Sequence, residues 1–100
     1  MPTKLLMRWD IHQETESEYF EFLVHEFIPT LNRLGMTDIE IWYTAYGAHE
    51  QKMAEGITQS LEQMQKILQS EEWANLHEKL TKFVDSFEQK VIPATRGFQI

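Results

Sequence analysis

From Asp38 to Tyr46 the chain reads Asp-Ile-Glu-Ile-Trp-Tyr-Thr-Ala-Tyr, β-branched and aromatic residues in the strict alternation of a β-strand. Ile39, Ile41, Tyr43 and Ala45 fall on one side of that strand, and Glu40, Trp42, Thr44 and Tyr46 fall on the other. A sheet that buries a single face carries plain polar residues on its second, so Trp42 and Tyr46 require a cover of their own. The rest of the chain supplies helices for one face only, and that mismatch argues for a partner chain.

An earlier strand is written in Lys4 to His12, with Leu5, Met7, Trp9 and Ile11 on one face and Leu6, Arg8, Asp10 and His12 on the other. Thr15-Glu-Ser-Glu18 has the spacing of a capping box and opens a helix. Phe20, Leu23, Val24, Phe27, Ile28, Leu31 and Leu34 draw its apolar stripe, and Gly35 closes it. Pro29 lies inside this pattern and removes the bond to the His25 carbonyl, which predicts a bend near the fourth turn.

Gly47-Ala48-His49-Glu50 reads as a hairpin connection into a third strand over Gln51 to Thr58. Met53 and Ile57 give that strand its buried face, and Lys52, Glu55 and Gly56 interrupt it, which predicts a bulge or an irregular section. Ser60-Leu-Glu-Gln63 is a second capping box, before a short helix carrying Leu61, Met64, Ile67 and Leu68. Ser70 caps a long helix whose Trp73, Leu76, Leu80, Phe83, Val84, Phe87 and Val91 keep a three/four spacing until Pro93. Ala94 to Ile100, with Arg96 and Phe98 on one face, supplies a last strand.

The order β-α-β-β-α-β, joined by right-handed crossovers, predicts a single α+β domain over residues 1–100 with the first and third strands central and the helices on one side. The bare side then shows Arg8, Asp10, His12, Glu40, Trp42, Thr44, Tyr46 and Glu55, aromatics among charges, the mixture of an interface. A second copy related by a two-fold axis is the cover expected for it. At 100 residues the chain buries only about 60 to 65% of its unfolded surface, which makes association useful.

Composition excludes several classes. Charged residues are 25% and hydrophobic residues 42%, a globular balance without low-complexity tracts. A net charge of −7 and a pI near 5.0 repel phosphate backbones, so nucleic acid is not an expected partner. The absence of cysteine removes thiolate chemistry, disulfides and cysteine-ligated metal. Leu5-Leu6-Met7 is too short an apolar run for a signal peptide or a membrane span, and the expected location is cytoplasmic.

With the strand and helix order, Pro29 and Leu34-Gly35 at the end of the first helix, Ser60-Leu61-Glu62, and Ser70-Glu71-Glu72-Trp73, the sequence resembles the dimeric α+β barrel superfamily over nearly its whole length. That superfamily includes antibiotic-biosynthesis-type monooxygenases, heme-degrading monooxygenases, stress-responsive A/B barrel proteins and NIPSNAP-type proteins. The resemblance implies a ferredoxin-like sandwich forming a dimeric barrel, sheets face to face, with a pocket in each subunit between sheet and helices. The heme-degrading branch is similar around the long helix and uses an Asn on strand one, a Trp on the short helix and a His on the long helix. Here those positions hold Met7, Ile67 and His77, so the resemblance carries over only the histidine, a remnant that could ligate heme without cleaving it.

Candidate site residues follow from these placements. His77, on the flank of the long helix's stripe, is either a packed boundary histidine or a general base or ligand. Met7, Trp9, Tyr43, Met53, Trp73 and Phe83 are either plain core or the lining of a slot for a small aromatic or mostly apolar ligand, Tyr43 bringing a hydroxyl. Asp10 and His12 could form an oriented pair, or Asp10 could pair with Arg8 instead. His25 is expected in solvent, and His49-Glu50 in a turn has no companion ligands for a metal. Phosphate-loop, nucleophile-elbow and zinc spacings do not occur. Two function classes result: a homodimeric ligand-binding or assembly module without cofactor, and a cofactor-independent monooxygenase or isomerase acting on an aromatic or polyketide-like substrate with His77 as base and Tyr43 or Trp9 positioning the ring.

Overall fold

Strands β1 (Thr3–Ile11), β2 (Thr37–Tyr46), β3 (His49–Thr58) and β4 (Val84–Pro93) form one sheet in the order β2-β3-β1-β4, every neighbour antiparallel. The structure, a computed structural model, describes the backbone of residues 1–46 and 49–94 and the side chains of residues 1–42 and 52–94. The first and third strands are central, as the crossover argument requires. Three helices lie against one face: residues 16–34, Leu61–Leu68 and Glu71–Leu80. The chain is 19 Å thick along its shortest axis, the depth of one sheet and one helix layer.

The first helix does not start on a capping box. A 3-10 turn over Gln13–Thr15 leads straight into it and aims the Thr15 hydroxyl back at the His12 carbonyl, 3.4 Å away. Pro29, as expected, does not stop the helix. A π turn over Leu23–Phe27 precedes it, with the Ile28 N–H donating to the Leu23 carbonyl five residues back, and α-turns resume over Ile28–Leu34. The wider turn also explains which face is buried. Tyr19, Leu23, Phe27 and Leu31, spaced by fours, would drift about 40° per step on a 3.6-residue helix, and the π turn takes up that drift. All four are buried with Phe22, whereas Phe20 and Val24 of the expected stripe are exposed.

Gly35 closes the helix at φ 112°, and the Met36 N–H donates back to the Leu31 carbonyl at 2.9 Å. The capping serines behave as the sequence indicates. Ser60 Oγ accepts from Gln63 N–H and Ser70 Oγ from Trp73 N–H, each at 3.1 Å, while Gln63 Oε1 accepts from the Gln59 N–H at 3.0 Å. Leu61 is exposed, outside the stripe of Met64 and Ile67.

Two strand assignments need correction. The third helix ends at Leu80, and Val84 to Pro93, which includes Val84, Phe87 and Val91 of the expected helical stripe, is strand β4. Ser86 has φ 57°, and the β1–β4 register shifts opposite Arg8 to Asp10. One extra residue at this bulge turns the strand's period of two into a step of three between Val84 and Phe87, and Phe87 to Val91 is two ordinary strand periods. A bulged strand thus imitates helical spacing. Ala94 follows the strand, and the Arg96 and Phe98 strand expected after it lies outside the described residues.

In β3 the faces are exchanged. Gly56 and Ala54 pair with Leu5 and Met7 of β1 and are buried with Lys52 and Thr58, while Met53 and Ile57 point to the uncovered face. Gly56 itself marks a close approach, because a Cβ there would run into the Met36 side chain. The irregularity sits in β2, where Asp38 has φ 51° and the pairing shifts between Thr37 and Glu40. His49 and Glu50 belong to β3, with His49 paired to Tyr46, so the connection shrinks to residues 47 and 48, outside the described residues.

Candidate functional site

Under the helices the sheet presents a column of rings. Trp9, fully buried on β1, lies parallel to Phe87 of β4 with centroids 6.0 Å apart and an interplanar angle of 10°. The rings of Phe87 and His77 meet edge to face with centroids 4.6 Å apart, and the His77 ring in turn lies 6.0 Å from that of Trp73 one helical turn earlier. On its inner sides Trp9 is held by Tyr19 and Phe27 in edge-to-face contacts. Trp9 Nε1 donates to the Tyr19 hydroxyl at 2.8 Å, which satisfies the indole N–H inside the core. Burial pushes the Tyr19 phenol well above its usual 10.0, against the smaller lowering effect of the Trp9 hydrogen bond.

Of the six slot residues, the structure therefore brings Met7, Trp9 and Trp73 into one buried core. Phe83 is half-buried against Phe22 and lines a groove between the first and third helices with His25, Glu26 and Lys79. Met53 stands on the opposite side of the sheet, displaced by the exchanged faces of β3. The Tyr43 side chain lies outside the described residues; its backbone pairs with Lys52.

His77 is half-buried, and among the described residues no hydrogen bond holds either ring nitrogen. The imidazole packs between Trp73 and Phe87, while the positions matching the heme branch's Trp and Asn hold the buried apolar Ile67 and Met7. These residues do not fit a heme. Among the described residues no group of three His, Asp or Glu side chains could hold a metal ion.

Sequence reasoning missed Tyr19, Phe87 and Lys52. Lys52 is 8% exposed on the helix-facing side of β3, opposite Trp9 in register, with its ammonium 5.6 Å from the Phe20 ring centre. The row of small residues that follows it, Ala54, Gly56 and Thr58, was the available signal that this parity faces the helices.

The uncovered face is ordered in rows that cross all four strands. Trp42 pairs with Met53, Met53 with Arg8, and Arg8 with Glu88. Arg8 forms an ion pair with Glu88, and Lys4 lies 3.5 Å from Glu55. Glu40 joins this face opposite Glu55. Asp10 orients neither Arg8 nor His12. His12 Nε2 lies 2.8 Å from the Asp85 carboxylate, whose hydrogen bond raises the His12 pKa above 6.5. Asp10 Oδ1 is buried with no partner among the described residues. Trp42 is 39% exposed here. The Thr44 and Tyr46 side chains lie outside the described residues.

Element order, sheet order and a one-sided helix layer define a ferredoxin-like α+β fold. No family model matches the chain, and no curated protein matches it. Many solved structures share the fold. It is similar to SnoaB, a cofactor-independent oxygenase from Streptomyces nogalater, with TM-score 0.76 and 9% identity over 99% of this chain and 98% of that one. A NIPSNAP family protein from Agrobacterium tumefaciens gives TM-score 0.68 at 16% identity, covering 100% of this chain and 99% of that one. A dimeric protein of unknown function from Bacteroides fragilis gives 0.63 at 11% identity, covering 93% and 96%. At such identities the likeness is one of fold.

Proposed function

We propose that the chain works as a homodimer with its sheets face to face, each subunit taking a small, mostly apolar molecule between sheet and helices. The observation that carries the first half is the uncovered sheet face, where a half-exposed Trp42 stands in a row with Met53, Arg8 and Glu88. An aromatic ring among self-neutralising charges fits an interface better than a solvated surface. The ligand half rests on the column Trp9, Phe87, His77, whose outer end at the half-buried His77 gives a flat molecule a ring to stack on and an imidazole to meet.

Titration with an anthraquinone probe, followed by tryptophan fluorescence, tests the ligand half. Saturable binding at one per subunit, weakened by Phe87→Ala, is the expected result; no saturation at any soluble concentration overturns it.

A second reading is a cofactor-independent oxygenase or isomerase with His77 as base. It is favoured by the ring nitrogens of His77, which no hydrogen bond holds among the described residues, and by the description of SnoaB, a protein of the same fold. Oxygen uptake with a polyketide-like phenol, in the absence of flavin and metal and abolished in His77→Gln, would support it. Uptake unchanged in His77→Gln removes His77 from the chemistry.

A further inference from the structure

On the face opposite the helices a partly exposed ring and a depression stand side by side in the same row. Trp42 lies on the edge strand β2 and is 39% exposed. Its register partner Met53, with Leu6, Arg8, Glu88 and Lys90, lines a depression of about 580 Å³ over β3, β1 and β4. A hollow of that size is in the range that holds a flat organic ring. Leu6 and Met53 give it apolar lining, and the Arg8 guanidinium, the cation more often found over a tryptophan face than an ammonium, lines it as well.

A two-fold interface places the same patch on both copies. An axis that passes between the ring and the hollow brings the ring of each copy onto the hollow of the other. The charges allow this: Arg8 is paired with Glu88 and Lys4 with Glu55 inside one chain, so the row can be laid against its own copy without a partner of opposite charge. That matters for a chain of net charge −7, whose copies repel at a distance.

We infer that the Trp42 ring of each copy seats in the hollow over Leu6, Met53 and Arg8 of the other, so that two reciprocal contacts fix the register of the sheets. The inference rests on the homodimer reading and specifies the contact that makes it. The test compares dimer dissociation constants, by sedimentation equilibrium, for the full chain and for Trp42→Ala, Met53→Trp and the double substitution. Each is first checked for an unchanged far-ultraviolet spectrum, with Trp42→Phe as a milder variant that keeps a ring.

Trp42→Ala is expected to weaken the dimer by about tenfold or more, as for a buried tryptophan anchor. Met53→Trp, which fills the hollow from its own strand, is expected to weaken it as well. The double substitution should lose less than the two singles combined, because the new ring enters the space the old one left. Dimers whose dissociation constant is indifferent to Trp42→Ala, or whose two losses simply add, overturn the inference while leaving the homodimer standing. A wild-type chain that stays monomeric overturns both. Saturation of the hollow by an apolar dye without any effect on dimerisation also overturns it and makes the hollow a small-molecule site.

Discussion

Trp9 of β1 and Phe87 of β4 lie ring on ring, 6.0 Å apart and within 10° of parallel. The contact ties the fully buried centre of the sheet to its edge strand and delivers His77 to the outer end of the same column. Core and candidate site are thus one set of side chains, and changes to either are expected to register in the other.

The Trp9 to Tyr19 hydrogen bond is the polar joint of that core. Tyr19→Phe leaves the indole N–H buried without an acceptor, at a cost of about 1 to 3 kcal/mol. Urea denaturation is expected to show this as a lower midpoint with an unchanged slope. A change under a few tenths of a kcal/mol would mean that the indole finds another acceptor.

Burial also gives Tyr19 a pH signature. Its folded pKa is raised above the unfolded value of 10.0, so the stability it contributes is present below pH 10.0 and declines as the pH rises above that value and only the unfolded chain ionises. The decline in unfolding free energy above that pH should be smaller in Tyr19→Phe than in the parent. Equal declines would place the phenol in contact with solvent.

His12 behaves oppositely to a buried histidine. Its pairing with Asp85 raises the pKa, so the contribution is full below 6.5 and is lost as the pH rises through the folded value. The His12 ring resonances are expected to titrate above 6.5 and to move back down in Asp85→Asn. A midpoint indifferent to Asp85→Asn would show that the pair does not form in solution.

Ser86 holds a left-handed φ of 57° at the β4 bulge. Ser86→Gly removes a steric cost and is expected to stabilise by about 0.5 to 1 kcal/mol, whereas Ser86→Val should destabilise and shift the β1–β4 pairing. Thermal unfolding of the three chains decides it, and a stable Ser86→Val chain would mean that the bulge lies elsewhere.

Legibility in the sequence followed burial contrast. β1 was readable because Leu5, Met7 and Trp9 alternate with Lys4, Leu6 and Arg8, and the two serine caps were readable because their bonds are local. β4 was hidden by one bulged residue, which gave Val84, Phe87 and Val91 a helix's spacing. The face of β3 was misread because its helix side is lined by Lys52, Ala54, Gly56 and Thr58, small or polar residues of which Gly56 lies tight against Met36, while the larger Met53 and Ile57 point outward. Phe87, hidden with β4, was therefore absent from the expected site, and Tyr19 was missed because the π turn rotates the first helix's buried face away from a regular 3.6-residue stripe.

That the open sheet face is made to be covered by a second copy is tested most directly by the sedimentation mass of the chain and of Trp42→Glu. Twice 11.9 kDa for the parent and 11.9 kDa for Trp42→Glu is the predicted result. A parent at 11.9 kDa across the micromolar range, or a Trp42→Glu chain that still sediments at double that mass, would contradict it.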